Sequence, residues 1–236
     1  MKKVLSLVLA AALVFTMAGC GNEKLPEDAM DYAAYTAAAL ESEVTVYTYF
    51  QAAQSWWEKD GVGRATLYTQ DKDGGYFVYE CKCTKDEFDK LKPGMMLRIN
   101  GYKSEWSGEV EIIDSKLEFY NSKSTYIAKP VDVTSIYGTD ALIEKQNQLV
   151  SVNGLTVAAP ATYRWDNSGS RGDDLYLKVT LNGTEYTMVV ESYLTGVDTD
   201  VYKAVEGLKA GDKIDIEGFL YWYNGAQPHI TKVVTK

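Results

Sequence analysis

The sequence predicts an all-β protein with short helices, built as two tandem five-stranded barrels behind an export signal. Three observations predict it. Short runs of β-branched and aromatic residues alternate with turn signals, one segment in each half switches to helical period, and an internal repeat recurs at a single offset. At 236 residues, the chain has room for one large all-β domain or two small ones.

Lys2 and Lys3 precede the apolar run Val4 to Phe15, which gives way to Met17-Ala18-Gly19-Cys20. A charged start, an apolar stretch and a small-residue cleavage site make a secretory signal. The run is shorter than the roughly 20 residues a bilayer-spanning helix needs. Cys20 directly after Ala18-Gly19 resembles the lipobox of bacterial lipoproteins, in which the cysteine becomes the acylated first residue of the mature chain. The resemblance implies a lipoprotein signal peptide over 1–19, a lipidated tether over 20–28, and attachment of Cys20 to the lipid bilayer on the extracytoplasmic face of the cell membrane. Lys2 and Lys3 are the only charges of the signal, so the exported body is more negative than the −9 of the whole chain. Such a surface repels phosphate backbones at long range.

Ala29 to Ser42 is alanine-rich with few breakers and reads as a helix leading into the first strand. Val44–Phe50, Ala65–Thr69 and Tyr76–Tyr79 read as strands, the last two joined by the hairpin loop Asp71-Lys-Asp-Gly-Gly75. Thr84-Lys-Asp-Glu87 then has capping-box spacing, with Phe88 and Leu91 on one helical face and Pro93-Gly94 as the stop. Strands over Met95–Lys103 and Glu109–Phe119 follow, joined by Ser104-Glu-Trp-Ser-Gly108. Cys81 and Cys83, two residues apart on one strand, share a face and sit too close along the chain for a relaxed disulfide. They read as two small, part-buried residues, with a soft-metal pair as the alternative.

The same order then returns. Leu91-Lys-Pro-Gly94 is echoed by Leu208-Lys-Ala-Gly211, Ile99-Asn-Gly-Tyr102 by Ile216-Glu-Gly-Phe219, and Trp106, Gly108 and Ile113 by Tyr223, Gly225 and Ile230, every pair 117 residues apart. Upstream, Val150-Ser-Val152 takes the place of Val44-Thr-Val46, and Leu175–Leu181 with Tyr186–Val190 flank an Asn182-Gly183 hairpin turn. Asp198–Leu208 takes the helix position. Two domains follow, 29–130 and 131–236. Five strands with a helix between the third and fourth resemble the OB-fold, a small, partly open barrel. A lipobox ahead of tandem OB-like domains, with runs such as Gln54-Ser-Trp-Trp57 and Gly218-Phe-Leu-Tyr-Trp222, is similar to surface lipoproteins of Gram-positive anaerobes. A single ten-strand β-sandwich competes on strand count, and the helix inside each copy favours barrels.

The inventory for catalysis is thin. His229 is the one histidine, so a multi-histidine zinc site is out of reach and a Ser-His-Asp triad would have to centre on it. Neither a Walker loop nor a dinucleotide fingerprint occurs. Asp166 to Asp174 has the look of a calcium loop, but Arg171 and Leu177 stand where that loop has Gly and Glu. Arg171-Gly172-Asp173 matches the integrin tripeptide, a match that three residues make by chance. No catalytic residue, metal site or cofactor is assigned. Asp173-Asp174 and Glu109 with Glu111 are ordinary solvated charges unless buried.

Aromatic placement remains. OB-folds recognise ligands on strands two and three and through the loops joining strands one to two and four to five. Those loops carry Trp56, Trp57 and Trp106 in the first copy and Tyr163, Trp165, Trp222 and Tyr223 in the second. Such rings either close the end of a barrel or offer a platform to a ligand. The sequence thus points to a non-catalytic binding or assembly module for a carbohydrate or another cell-surface ligand. The alternatives are an OB-fold nucleic-acid binder, with Lys59, Arg64, Lys82, Lys85 and Lys103 as its basic track, and a carboxylate-dependent hydrolase. Metabolic labelling with a clickable fatty acid checks the anchor: the chain takes up label, Cys20→Ala does not, and label retained on Cys20→Ala contradicts the lipobox reading.

Overall fold

A computed structural model describes residues 25–236; the signal peptide expected over 1–19 and Cys20 lie outside the described residues. Asp31 caps α1 (Tyr32–Ala37), and β1 (Glu43–Ala53), β2 (Trp57–Lys59), β3 (Val62–Gln70), β4 (Gly75–Lys82), α2 (Lys85–Phe88), β5 (Met96–Trp106) and β6 (Glu109–Phe119) follow. The ladder runs β1-β5-β6-β4-β3-β2, and a β1–β3 pairing closes it into a ring. β4 and β6 run parallel. This is OB topology, with α2 between the third and fourth strands of the barrel.

The second half repeats the plan. β7 (Val131–Asp132), a 3-10 turn (Asp140–Lys145), β8 (Leu149–Val157), β9 (Thr162–Tyr163), β10 (Leu175–Leu181), β11 (Thr184–Val190), α3 (Asp200–Glu206), β12 (Lys213–Phe219) and β13 (His229–Thr235) succeed one another. Their order is β7-β8-β12-β13-β11-β10-β9, closed by β8–β10, with β11 and β13 parallel. Each ring has its own core, Val46, Leu67, Val78, Leu97 and Ile112 in one and Val152, Leu177, Val179, Ile214 and Ile230 in the other. That excludes a single sandwich. The repeat offset is geometric as well: Gly94 and Gly211 hold φ of +89° and +94° in equivalent turns, a region that favours glycine. Gly101 and Gly218 sit where the β5–β6 and β12–β13 ladders slip, and a Cβ there would collide with the carbonyls of Ile113 and His229.

Several elements differ from the sequence reading. The helix expected over 29–42 shrinks to six residues. Met30 pairs beside Val46 of β1, and the buried Lys103 ends the helix by donating from Nζ to the carbonyls of Tyr35, Thr36 and Ala38 at 3.1, 2.8 and 2.8 Å. A cation on open C-terminal carbonyls outweighs alanine's helical preference. β5 runs on to Trp106, so its hairpin is the two-residue turn Ser107-Gly108, φ +52° and +90°. Asp60-Gly61, φ +54° and +74°, likewise folds Trp57–Lys59 back on β3 as a strand rather than a loop. Cys81 and Cys83 are free and buried, and burial pushes their thiols up to about 12 and about 11, which keeps them protonated.

The barrels meet along an ordered seam. Gln146 Nε2 donates to Gly108 O at 2.7 Å and Asn147 Nδ2 to Val110 O at 2.9 Å. Leu149 N donates to Gln70 Oε1 at 2.8 Å, Trp222 N to Glu109 Oε2 at 2.8 Å, and Asn224 N to Ser107 O at 2.7 Å. Beside these lies an apolar patch of Tyr68, Phe77 and Phe219, with the rings of Tyr68 and Phe219 stacked at 4.6 Å. Tyr68 Oη meets His229 Nδ1 at 2.7 Å. Gly75 lets the two barrels touch, since a Cβ on it would strike the carbonyl of Asn147.

Separated fragments 27–130 and 131–236 would expose this patch and strand the seam's polar groups, so the body is expected to unfold in one cooperative transition. Gly75→Ala should cost about 1–3 kcal/mol by overpacking the contact, and Tyr68→Phe about 1–3 kcal/mol by leaving His229 Nδ1 without its partner. Urea melts followed by fluorescence and circular dichroism check this. Two separate transitions, or fragments as stable as the whole, contradict it.

Candidate functional site

The angle between the barrels holds a cleft of about 850 Å³. Period-two alternation on β4 turns Phe77 and Tyr79 outward together, and Glu111 on β6 stands in register with Phe77. Gln54 follows β1, and Trp106 ends β5 at the Ser107-Gly108 turn. The second barrel supplies Trp165, Asp174, Tyr176, Val189, Glu191, Tyr221, Tyr223, Gln227 and His229. Asp174 and Glu191 face each other just beyond the Leu175–Val190 pair that ends the β10–β11 ladder. Trp106 and Tyr223, one repeat apart, both reach this cleft.

Its rim is aromatic and open: Trp106 is 62% exposed, Trp165 75% and Tyr223 46%. Its floor is polar and largely buried. Glu111 and Glu191 are each only 8% exposed. Burial, reinforced by the nearby Glu80 charge, pushes the Glu111 carboxyl up to about 7. Burial and then Asp174 do the same to Glu191, also to about 7, against the pull of the Tyr193 and Leu194 N–H groups at 3.3 and 2.8 Å. Asp174 accepts from Ser192 N and Oγ at 2.8 and 2.7 Å. The Glu111 carboxyl has no hydrogen-bond partner among the described residues. Deeper in the seam, burial holds Glu109 well above the usual carboxylate range.

His229 lies on the cleft wall with Tyr221 stacked on it at 4.4 Å. Burial lowers its pKa to about 3, so the ring is neutral. Gln54 Nε2 donates to Tyr68 Oη at 3.1 Å, leaving the phenol to give its own proton to His229 Nδ1. The chain of donors therefore assigns the imidazole proton to Nε2. Among the described residues, no lysine or arginine lines the cleft.

Three of the aromatics singled out in the sequence, Trp106, Trp165 and Tyr223, come together here; the other four do not. Trp56 is a lid, its ring packed against the first core and its Nε1 donating to Cys83 O at 3.0 Å. Trp57 lies on edge strand β2 with the Arg64 guanidinium 5.5 Å over its ring. Tyr163 packs on the second core and donates to Glu206 at 2.7 Å. Trp222 packs there too, its ring against Gly108, and it lines a smaller hollow of about 580 Å³. Glu111, named in the sequence as a solvated charge unless buried, is buried here, and His229, named there as the one histidine, lines the same cleft. Glu191, Tyr79, Tyr176 and Tyr221 are cleft residues that sequence reasoning missed; the outward pair Phe77 and Tyr79 was a usable signal, and nothing marked Glu191.

Of the residues read as a basic track, Lys103 is buried under α1, Arg64 pairs with Glu80 at 4.0 Å, Lys82 with Asp114 at 3.6 Å and Lys85 with Asp89, while Lys59 is exposed on β2. The Arg171-Gly172-Asp173 tripeptide is tied down, Arg171 Nε to Glu206 at 3.0 Å and Gly172 N to Tyr202 Oη at 2.9 Å. No group of three or more His, Cys, Asp or Glu side chains is placed to hold a metal ion among the described residues. No helix among them is long and apolar enough to cross a membrane.

No protein-family model matches the chain, nor does any curated protein. Among solved structures it is similar to the p204 HINb domain, at 12% identity, 83% coverage of this chain, 98% of that chain and a TM-score of 0.36. A murine DNA binding protein bound with ds DNA follows at 14%, 81%, 96% and 0.36. A replication protein A heterotrimer bound to ssDNA stands at 10%, 88%, 52% and 0.35. The OB assignment itself rests on the strand order of the two rings.

A carboxyl raised to about 7 keeps a proton in the folded state that the unfolded chain has already released. Its contribution therefore favours folding at the ordinary carboxylate pKa and is lost as pH rises through about 7. His229 acts oppositely and weakens the fold as pH falls from the ordinary histidine range towards about 3, a contribution that cancels when a variant is compared with the parent chain. Glu111→Gln should stabilise by about 1 kcal/mol at pH 8, less than the full shift implies because solvent reaches the carboxyl through the cleft. The gain should vanish near pH 4. Thermal melts of both proteins across that range check it, and a gain independent of pH contradicts the buried-carboxyl account.

Proposed function

We propose that this chain is a membrane-anchored extracytoplasmic lipoprotein, held by acylated Cys20, whose paired barrels form a non-catalytic binding module for carbohydrate. One observation carries the binding reading: Trp106, Trp165 and Tyr223 stand exposed around a cleft that no lysine or arginine lines among the described residues. Sugar rings offer apolar C–H faces that stack on indole and phenol, while their hydroxyls need fixed donors and acceptors. The cleft supplies both kinds, with acceptors on Glu111, Asp174 and Glu191, an N–H on His229, and the mixed amides of Gln54 and Gln227. A nucleic acid needs stacking platforms and a cationic groove together, and here the platforms face carboxylates.

The raised carboxyls of Glu111 and Glu191 favour one second reading, a carboxylate-dependent hydrolase. Against it, Glu191 is fixed by two main-chain N–H groups, which suits a stationary acceptor better than a proton donor. A glycan and nucleic-acid array probed with soluble residues 24–236 tests the function. Glycans should be retained, with affinity nearly flat between about 0.05 and 0.2 M salt, whereas a nucleic-acid site would lose orders of magnitude. Trp106→Ala with Trp165→Ala should abolish that binding and leave the melting temperature within about 2 °C, because both rings are exposed. Steep salt dependence with nucleic acid as the captured ligand contradicts the proposal, and release of reducing ends from the bound glycan moves it to the hydrolase.

A further inference from the structure

Resting on the saccharide reading of the cleft, we infer that its ligand is an amino sugar with a free, protonated amine, its ring on the rim aromatics and its ammonium on Glu111. Glu111 is 8% exposed as a residue, lines the cleft, and its carboxyl has no hydrogen-bond donor among the described residues. With no protein donor, the carboxyl takes up a proton unless a partner from the open side of the cleft stabilises its charge. Sugar hydroxyls could donate to it, but they leave its charge unbalanced. Asp174 and Glu191 bring further negative charge to the same lining, His229 is neutral, and among the described residues no lysine or arginine lines the cleft to offset them.

An ammonium supplies three donors and a positive charge at the one place where the walls lack both. The electron-rich faces of Tyr79 and Tyr221, also on the cleft, attract a cation further. Acylating the amine removes the charge and leaves a single N–H donor, and a uronic or phosphorylated sugar sets like charges against each other. The order of affinity is therefore free amine, then neutral N-acetyl, then anionic sugar.

Calorimetry on soluble residues 24–236 with two tetrasaccharides, β-1,4-linked glucosamine and its fully N-acetylated counterpart, reads this directly. The free-amine tetramer should bind at least about tenfold more tightly, a difference of about 1.4 kcal/mol. Glu111→Gln should bring the two affinities within about threefold, Glu111→Asp should retain part of the preference, and Trp106→Ala should weaken both tetramers. Equal or tighter binding of the N-acetylated tetramer overturns the inference and leaves the saccharide reading intact. A free-amine preference that survives Glu111→Gln also overturns it, because the acidic surface as a whole would then be the attractor. If neither tetramer binds and the array captures no glycan, both readings fall together.

Discussion

Where the two barrels join, the phenol of Tyr68 and the imidazole of His229 meet at 2.7 Å in a place that solvent barely reaches. Both groups carry polar atoms that cannot be left bare in such surroundings, and each finds its partner on the other barrel. The contact therefore works only at one relative placement of the two domains. Phe77 and Phe219 pack around Tyr68, and the side-chain amide of Asn147 with the main-chain N–H groups of Leu149, Trp222 and Asn224 repeats the same demand along the seam. A flexible pair of domains would open and close a ligand site at an entropic cost; a fixed pair presents it formed.

The cleft is a consequence of that placement. Neither barrel holds it alone: Glu111 and Trp106 come from one, Glu191, Trp165 and Tyr223 from the other. Repetition helped to make it, because Trp106 and Tyr223 occupy equivalent strand-four to strand-five corners of two copies and now share one rim. The copies have since diverged where they meet. In the first, β6 turns Glu109 into the seam and Glu111 into the cleft; in the second, β13 contributes His229. Burying carboxyls beside exposed aromatics costs stability above neutral pH, a cost that is understandable when a ligand makes use of the charge.

Local chemistry made much of the fold legible. Thr84 and Glu87 form the capping box their spacing predicts, Asn182-Gly183 makes the β10–β11 turn with both φ positive, and the Asp71 carboxylate accepts from the amides of Asp73 and Gly74 in the hairpin it announces. Elements decided by distant partners were not legible. The alanine-rich segment before β1 lost most of its helix to the side chain of Lys103, about 70 residues on. In the site, the loop aromatics could be named but not sorted. Trp56 and Trp106 both sit beside turns, and only the packing of one barrel on the other makes the first a lid and the second a rim. Glu111 and Asp114 look alike on paper; register and the facing barrel bury one and leave the other on the surface.

The central claim is that ligand enters between the barrels rather than across the outer loops of the first. Fluorine NMR of the soluble body carrying 5-fluorotryptophan at its five tryptophans, titrated with a captured saccharide, addresses it in one experiment. The account predicts that the resonances of Trp106 and Trp165 shift to saturation while those of Trp56 and Trp57 hold still. Movement of Trp57 with Trp106 and Trp165 unchanged would contradict it.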